Sequence, residues 1–170
     1  MTSVVQTCMF SLGGTDDPQV KISISIDENG LATVSVVQDA SYPITGALIA
    51  FYIEFLGTTD YTGLGLIDLT TNSDIGNMNG AEPANGGVWD SGYLIDGTPP
   101  PDEQGPVQFQ FQLTGDWQSI DWEQVEVGLR MQSVDDSRTE IDEGGSRKLT
   151  AFCDETFGIS GTKVIDVDGD

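Results

Sequence analysis

Apolar and polar residues alternate along run after run of this chain. Val20, Ile22, Ile24 and Ile26 are interleaved with Lys21, Ser23 and Ser25. Val107, Phe109, Phe111 and Leu113 are interleaved with Gln108, Gln110 and Gln112, and Val125, Val127, Leu129 and Met131 with Glu126, Gly128, Arg130 and Gln132. A period of two puts every second side chain on one side of an extended backbone, so each run predicts a half-buried β-strand. The run 47–56 is nearly all apolar, which predicts a central strand covered on both faces or a strand passing under a loop. Shorter strands are predicted at 8–12, 64–69, 93–95 and 148–153. No window of about 11 residues or more shows helical periodicity. The 21 glycines and 7 prolines interrupt the chain too often for long helices.

Asn29-Gly30 marks a hairpin turn between 20–26 and 31–37, and its register can be argued. A two-residue loop would set Ile24 opposite Ser35 and Ile26 opposite Thr33. A three-residue loop, Glu28-Asn29-Gly30, sets Ile24 opposite Val34 and Ile22 opposite Val36. Directly opposed residues share a face, so the second register is the expected one. It also places Gly30 at the left-handed position of a type I turn with a G1 bulge. Short strands joined by loops predict an all-β chain, a two-sheet antiparallel β-sandwich, with a jelly roll as one form of it. Residues 1–157 read as one sandwich domain and 158–170 as an acidic tail or linker. The stretch 70–105 is rich in glycine and proline, and a loop that long is usually functional or anchored.

Charge narrows the function. Twenty-eight Asp and Glu face six Lys and Arg, with no histidine, for a formal charge of −22. Such a surface repels nucleic-acid phosphates and anionic membranes. Lack of histidine removes Ser-His-Asp and Cys-His catalysis and argues against transition-metal sites. No apolar run approaches the ~18 residues of a membrane helix. Met1-Thr2-Ser3-Val4-Val5 has neither the basic nor the apolar part of a secretory signal. The expectation is a cytosolic chain, one exported without such a signal, or a mature one. Cys8 and Cys153 stand near opposite ends. A disulfide between them would close a loop of nearly the whole chain; two buried free thiols are the alternative.

Three segments carry a likeness: Asn77-Met78-Asn79-Gly80, Val127-Gly128-Leu129-Arg130-Met131-Gln132-Ser133-Val134, and Glu143-Gly144-Gly145-Ser146-Arg147-Lys148-Leu149. Through them the region from about Gly46 to Ala151 resembles an uncharacterised module of large secreted, calcium-associated proteins of marine bacteria, in the company of repeats-in-toxin adhesins. The acidic insert 135–142 is longer than that pattern. The resemblance implies a secreted, non-catalytic β-sandwich. It also implies export by a route without an N-terminal signal, and it brings no catalytic residues.

Hard cations are the ligands such a chain is suited to. Asp166-Val167-Asp168-Gly169-Asp170 has the Asp-x-Asp-Gly-Asp form with which calcium loops begin. Residues from a neighbouring chain would complete its shell; a solvated acidic tail is the alternative. Asp68, Asp74, Asn77, Asn79 and Asp90 lie in and beside the glycine-rich loop and offer the oxygen donors that Ca2+ selects. Their alternative role is to cap turns. Asp135, Asp136, Glu140, Asp142 and Glu143, with Arg138 among them, read as a solvated loop ahead of a cation site. Trp117 and Trp122, with Trp89, Tyr61 and Tyr93, are candidates for a sugar-stacking platform, against packing in the core. Asp116 and Asp121 do not argue for a glycosidase, because carboxylate pairs are unavoidable among 28.

The function expected from these features is a non-catalytic extracellular or cell-surface module, structural or adhesive. It is stabilised by calcium, and it self-associates or joins neighbouring domains of a larger protein. The alternative is a carbohydrate-binding module. Nucleic acid and membrane insertion are not expected. Adaptation to high salt is a rival account of the charge, and it predicts equal stabilisation by KCl.

Overall fold

The fold is described from a computed structural model that covers residues 4–55, 82–84, 86, 89–96, 102–138 and 145–158. The strand predicted at 64–69 lies outside them. Within them the chain forms β1 (Val4–Leu12), β2 (Val20–Asp27), β3 (Leu31–Gln38), β4 (Ile44–Phe55), β5 (Ser91–Leu94), β6 (Val107–Gln112), β7 (Val125–Asp136), β8 (Gly145–Phe152) and β9 (Glu155–Gly158). Two short 3-10 turns, Trp117–Ser119 and Trp122–Gln124, precede β7. The strands make a five-stranded sheet, β6-β3-β2-β1-β9, and a four-stranded sheet, β5-β4-β7-β8. All neighbours are antiparallel. This is a two-sheet β-sandwich. Its first three strands run as a meander within one sheet.

The alternating residues point inward, as their period requires. Phe10, Ile22, Ile24, Val34, Val36 and Phe111 from one sheet share a single buried cluster with Leu48, Phe51, Ile53, Val127, Leu129 and Met131 from the other. At one border the Phe109 ring of β6 meets Phe51 edge-on at 5.3 Å and stacks on Tyr93 at 4.0 Å. At the opposite border Cys8 and Cys153 are joined by a disulfide, with Cα atoms 5.8 Å apart. Arg147 of β8 also reaches Asp17, in the β1–β2 loop, at 3.1 Å.

The hairpin has the register argued from opposed residues: Ile24 faces Val34 and Ile22 faces Val36. The buried Asp27 carboxylate accepts from the Asn29 and Leu31 N–H groups at 2.8 and 2.9 Å. Gly30 takes φ 82° and donates to the Asp27 carbonyl at 3.1 Å. A Cβ at Gly30 would lie 2.8 Å from Trp117 Nε1, so both backbone and packing require glycine there.

β4 is the strand covered on both faces. It sits between β5 and β7, and its ladder with β7 shifts between Thr45 and Ala47 and again between Leu48 and Ala50. Leu48 faces the core, whereas Ile49, Ala50 and Tyr52 form a second cluster with Ala47 and Trp89 on the outside. The Tyr52 and Trp89 rings lie 5.9 Å apart. The sheets are also linked by Gln38, whose amide donates to the Gly46 carbonyl at 2.9 Å and accepts from the Gly46 N–H at 2.8 Å. β9 is a strand that no alternation marks. It pairs with β1 and reaches Gly158, one residue into the segment read as a tail.

Candidate functional site

The residues proposed as calcium ligands fall in different places. Asp68, Asp74, Asn77 and Asn79, and the tail residues Asp166, Asp168 and Asp170, lie outside the described residues. Asp90 is exposed, and its carboxylate accepts from the Phe55 N–H at 2.8 Å, fixing the end of β4. Among the described residues, no three or more Asp, Glu or Cys side chains converge on one point. In the second acidic segment Glu140, Asp142 and Glu143 lie outside the description. Asp136 is held by Arg138, with Nη2–Oδ2 at 2.7 Å and Nε–Oδ1 at 2.9 Å. Those hydrogen bonds lower the Asp136 pKa from its ordinary value.

The aromatic residues do not make one platform. Trp122 is buried in the core and meets Phe55 edge-on at 6.2 Å. Trp89 is buried over β4, and Tyr93 faces inward against Phe109. Tyr61 lies outside the described residues. Trp117 is half-buried against the hairpin turn. With Trp122 it borders a cavity of about 350 Å³ that Gln6, Glu28 and Gln118 also line. Asp121 accepts from the Glu123 N–H, and the Asp116 carbonyl from Ser119, so both residues shape the turns that carry the tryptophans. A broader groove of about 780 Å³ crosses the outer face of the five-stranded sheet, where Met9, Ser11, Lys21, Ser23, Ser35 and Val37 face out.

The most unusual chemistry is on the outer face of the four-stranded sheet, and residue patterning missed it. Glu54 of β4 and Glu126 of β7 stand directly opposite each other in the ladder. Both are buried, at 7 % and 4 % exposure. Glu126 Oε1 accepts from the Ala84 N–H at 2.7 Å. Alternation marks Glu126 as outward-facing, and outward usually means solvated. The available signal was the apolar run of β4: a cover over β4 also reaches the strand paired with it.

Burial raises the Glu126 pKa above the ordinary carboxylate range, against a smaller lowering by the Ala84 bond. A raised pKa means that the native state favours the protonated acid. That contribution to stability is complete below the ordinary carboxylate range and is lost as pH rises through the raised value. Glu126→Gln keeps an acceptor for Ala84 and removes one of two opposed charges. At neutral pH it raises stability by up to about 1 kcal/mol, and the gain closes as pH falls to about 4. Thermal melting against pH checks this, with exposed Glu28→Gln as the control for general charge. Equal gains from both substitutions would show that the buried pair is not special.

No protein-family model matches this chain, and no curated protein or solved structure is significantly similar to it.

Proposed function

We propose that this chain is a non-catalytic extracellular or cell-surface β-sandwich module with a structural or adhesive role. In this reading it is stabilised by Ca2+ and able to self-associate or to join neighbouring domains of a larger protein. The observation that carries the reading is the charge: −22 on 170 residues, spread over a sandwich whose sheet edges have few lysines. Self-repulsion of that size opposes compactness and association until counter-ions bind. Divalent ions that bind the native state stabilise it by mass action. The disulfide joining β1 to the segment after β8 suits an oxidising environment. The likeness to secreted, calcium-associated bacterial modules points the same way.

Light scattering during a calcium titration tests the assembly part of this reading. Calcium is expected to raise the mass above that of the monomer, and MgCl2 at equal ionic strength to do so less. A monomer throughout would remove self-association.

The cavity beside Trp117 favours a second reading, a carbohydrate-binding module. An aromatic rim with Gln6, Glu28 and Gln118 offers stacking and hydroxyl recognition together. A glycan array with and without calcium, repeated on Trp117→Ala, tests it; binding unchanged by that substitution would move the site elsewhere.

A further inference from the structure

β6 is an edge strand of the five-stranded sheet, and the free side of an edge strand is a template for another strand. The phase of the ladders tells which groups face that side. The Leu113 N–H donates to the Gly30 carbonyl, and the Asp39 N–H to the Gln19 carbonyl at the end of the β2–β3 ladder. Stepping by two from either bond, Val107, Phe109 and Phe111 exchange hydrogen bonds with Val36, Val34 and Ala32. The main-chain N–H and C=O groups of Gln108, Gln110 and Gln112 therefore point away from β3. Among the described residues none hydrogen-bonds to them. The three side chains are exposed on the outer face. Gln110 Nε2 donates to Thr33 Oγ1 at 3.0 Å and Gln112 Nε2 to the Asn29 carbonyl at 2.8 Å, so both amides are tied back across their own sheet.

No charged residue occurs from Gln104 to Gly115. The other sheet edges among the described residues differ. β5 is four residues long and lies between Asp90 and Asp96, β8 carries Arg147 and Lys148, and β9 opens with Glu155. In a chain of net charge −22, β6 is the edge at which two copies meet with the least repulsion.

We propose that β6 pairs antiparallel with β6 of a second copy, across a two-fold axis at Gln110. This rests on the reading that the chain self-associates, and it names the surface. The register sets Gln110 opposite Gln110 and Gln108 opposite Gln112, which engages every free group of the edge. A shift of two residues leaves some of them unpaired. A shift of one sets glutamine against phenylalanine, an outer face against an inner one. Phe109 lies opposite Phe111 of the other copy, so inner faces stay inner. The contact is isologous and closes at a dimer, with the two five-stranded sheets joined into one. It buries mostly main chain, so repulsion between the copies sets its strength, and counter-ions, calcium included, favour it.

Amide hydrogen exchange of the full chain, read by NMR with and without CaCl2, tests this beside sedimentation for mass. The Gln110 N–H is expected to exchange at least roughly tenfold more slowly in calcium, where the dimer forms. The Phe109 and Phe111 N–H groups, already bonded to β3, are protected in both conditions. Gln110→Lys opposes two cations at the axis and is expected to weaken dimerisation roughly tenfold or more. The added lysine also reduces the net charge, so any general effect of charge runs the other way. Thr150→Lys, at an exposed position of β8, measures that general effect and is expected to leave the dimer intact. If Gln110→Lys does not fold, exchange in the wild type decides alone. Assembly with Gln110 exchange unchanged, or assembly that Gln110→Lys leaves intact, overturns the β6 contact while self-association stands. A monomer throughout overturns both.

Discussion

Replacing Cys8 and Cys153 together with alanine is expected to lower the thermal midpoint by roughly 10–20 °C. The bond spans 145 residues of sequence, so it removes a large share of the unfolded chain's freedom. In the chain-entropy model a loop of that size is worth about 5 kcal/mol. The bond also holds the end of β8 to β1, where the Cys153 N–H donates to the Val125 carbonyl and the Asp154 N–H to the Met9 carbonyl. Reductant should reproduce the loss in the wild type and leave the double variant unchanged. Thiol titration of the denatured wild-type chain should find no free thiol until reductant is added. Free thiols before reduction, or a midpoint indifferent to reductant, would contradict the disulfide.

Phe109→Ala is expected to cost about 3–5 kcal/mol, or about 10 °C. Phe109 is 6 % exposed and lies between Phe51 of the opposite sheet and the stacked ring of Tyr93. It is held by an edge strand paired with β3 alone. Its removal opens a cavity between the sheets and loosens that border. Gln110→Ala, one strand position away on the outer face, should change stability by less than about 0.5 kcal/mol. Urea unfolding of both variants checks the contrast. Similar losses in the two would mean that β6 is held by its backbone ladder rather than by aromatic packing.

These effects follow from features legible in the sequence to different degrees. The β2–β3 register was readable because only one loop length puts isoleucine opposite valine, and Gly30 fits that loop. The two-sided burial of β4 was readable because a nearly continuous apolar run, broken by Glu54, leaves no polar face. β9 was not readable: Glu155-Thr156-Phe157-Gly158 is too short to show a period, and β1 decides its pairing. Trp122 was placed as a candidate for sugar stacking, yet it is core, because a single tryptophan near acidic residues carries no directional signal. The Glu54–Glu126 pair was invisible for a different reason. It needs both the β4–β7 register, which shifts at two places, and the cover over that face. Bulges and covers are tertiary events that no local pattern encodes.

Charge remains the feature that the rest of the fold must accommodate. With six Lys and Arg against 28 Asp and Glu, most carboxylates have no cation of the chain to pair with and are left to solvent and ions. Two accounts of that surface differ in what they ask of the solvent. A calcium-stabilised module needs a divalent ion, whereas adaptation to high salt needs only screening. The measurement that separates them is thermal melting of the full chain in EDTA, in millimolar CaCl2, and in KCl raised from equal ionic strength to the molar range. The calcium-stabilised module predicts a midpoint that rises in calcium well beyond KCl at equal ionic strength and falls back on chelation. A midpoint unchanged by calcium, or one that KCl raises equally, would contradict it.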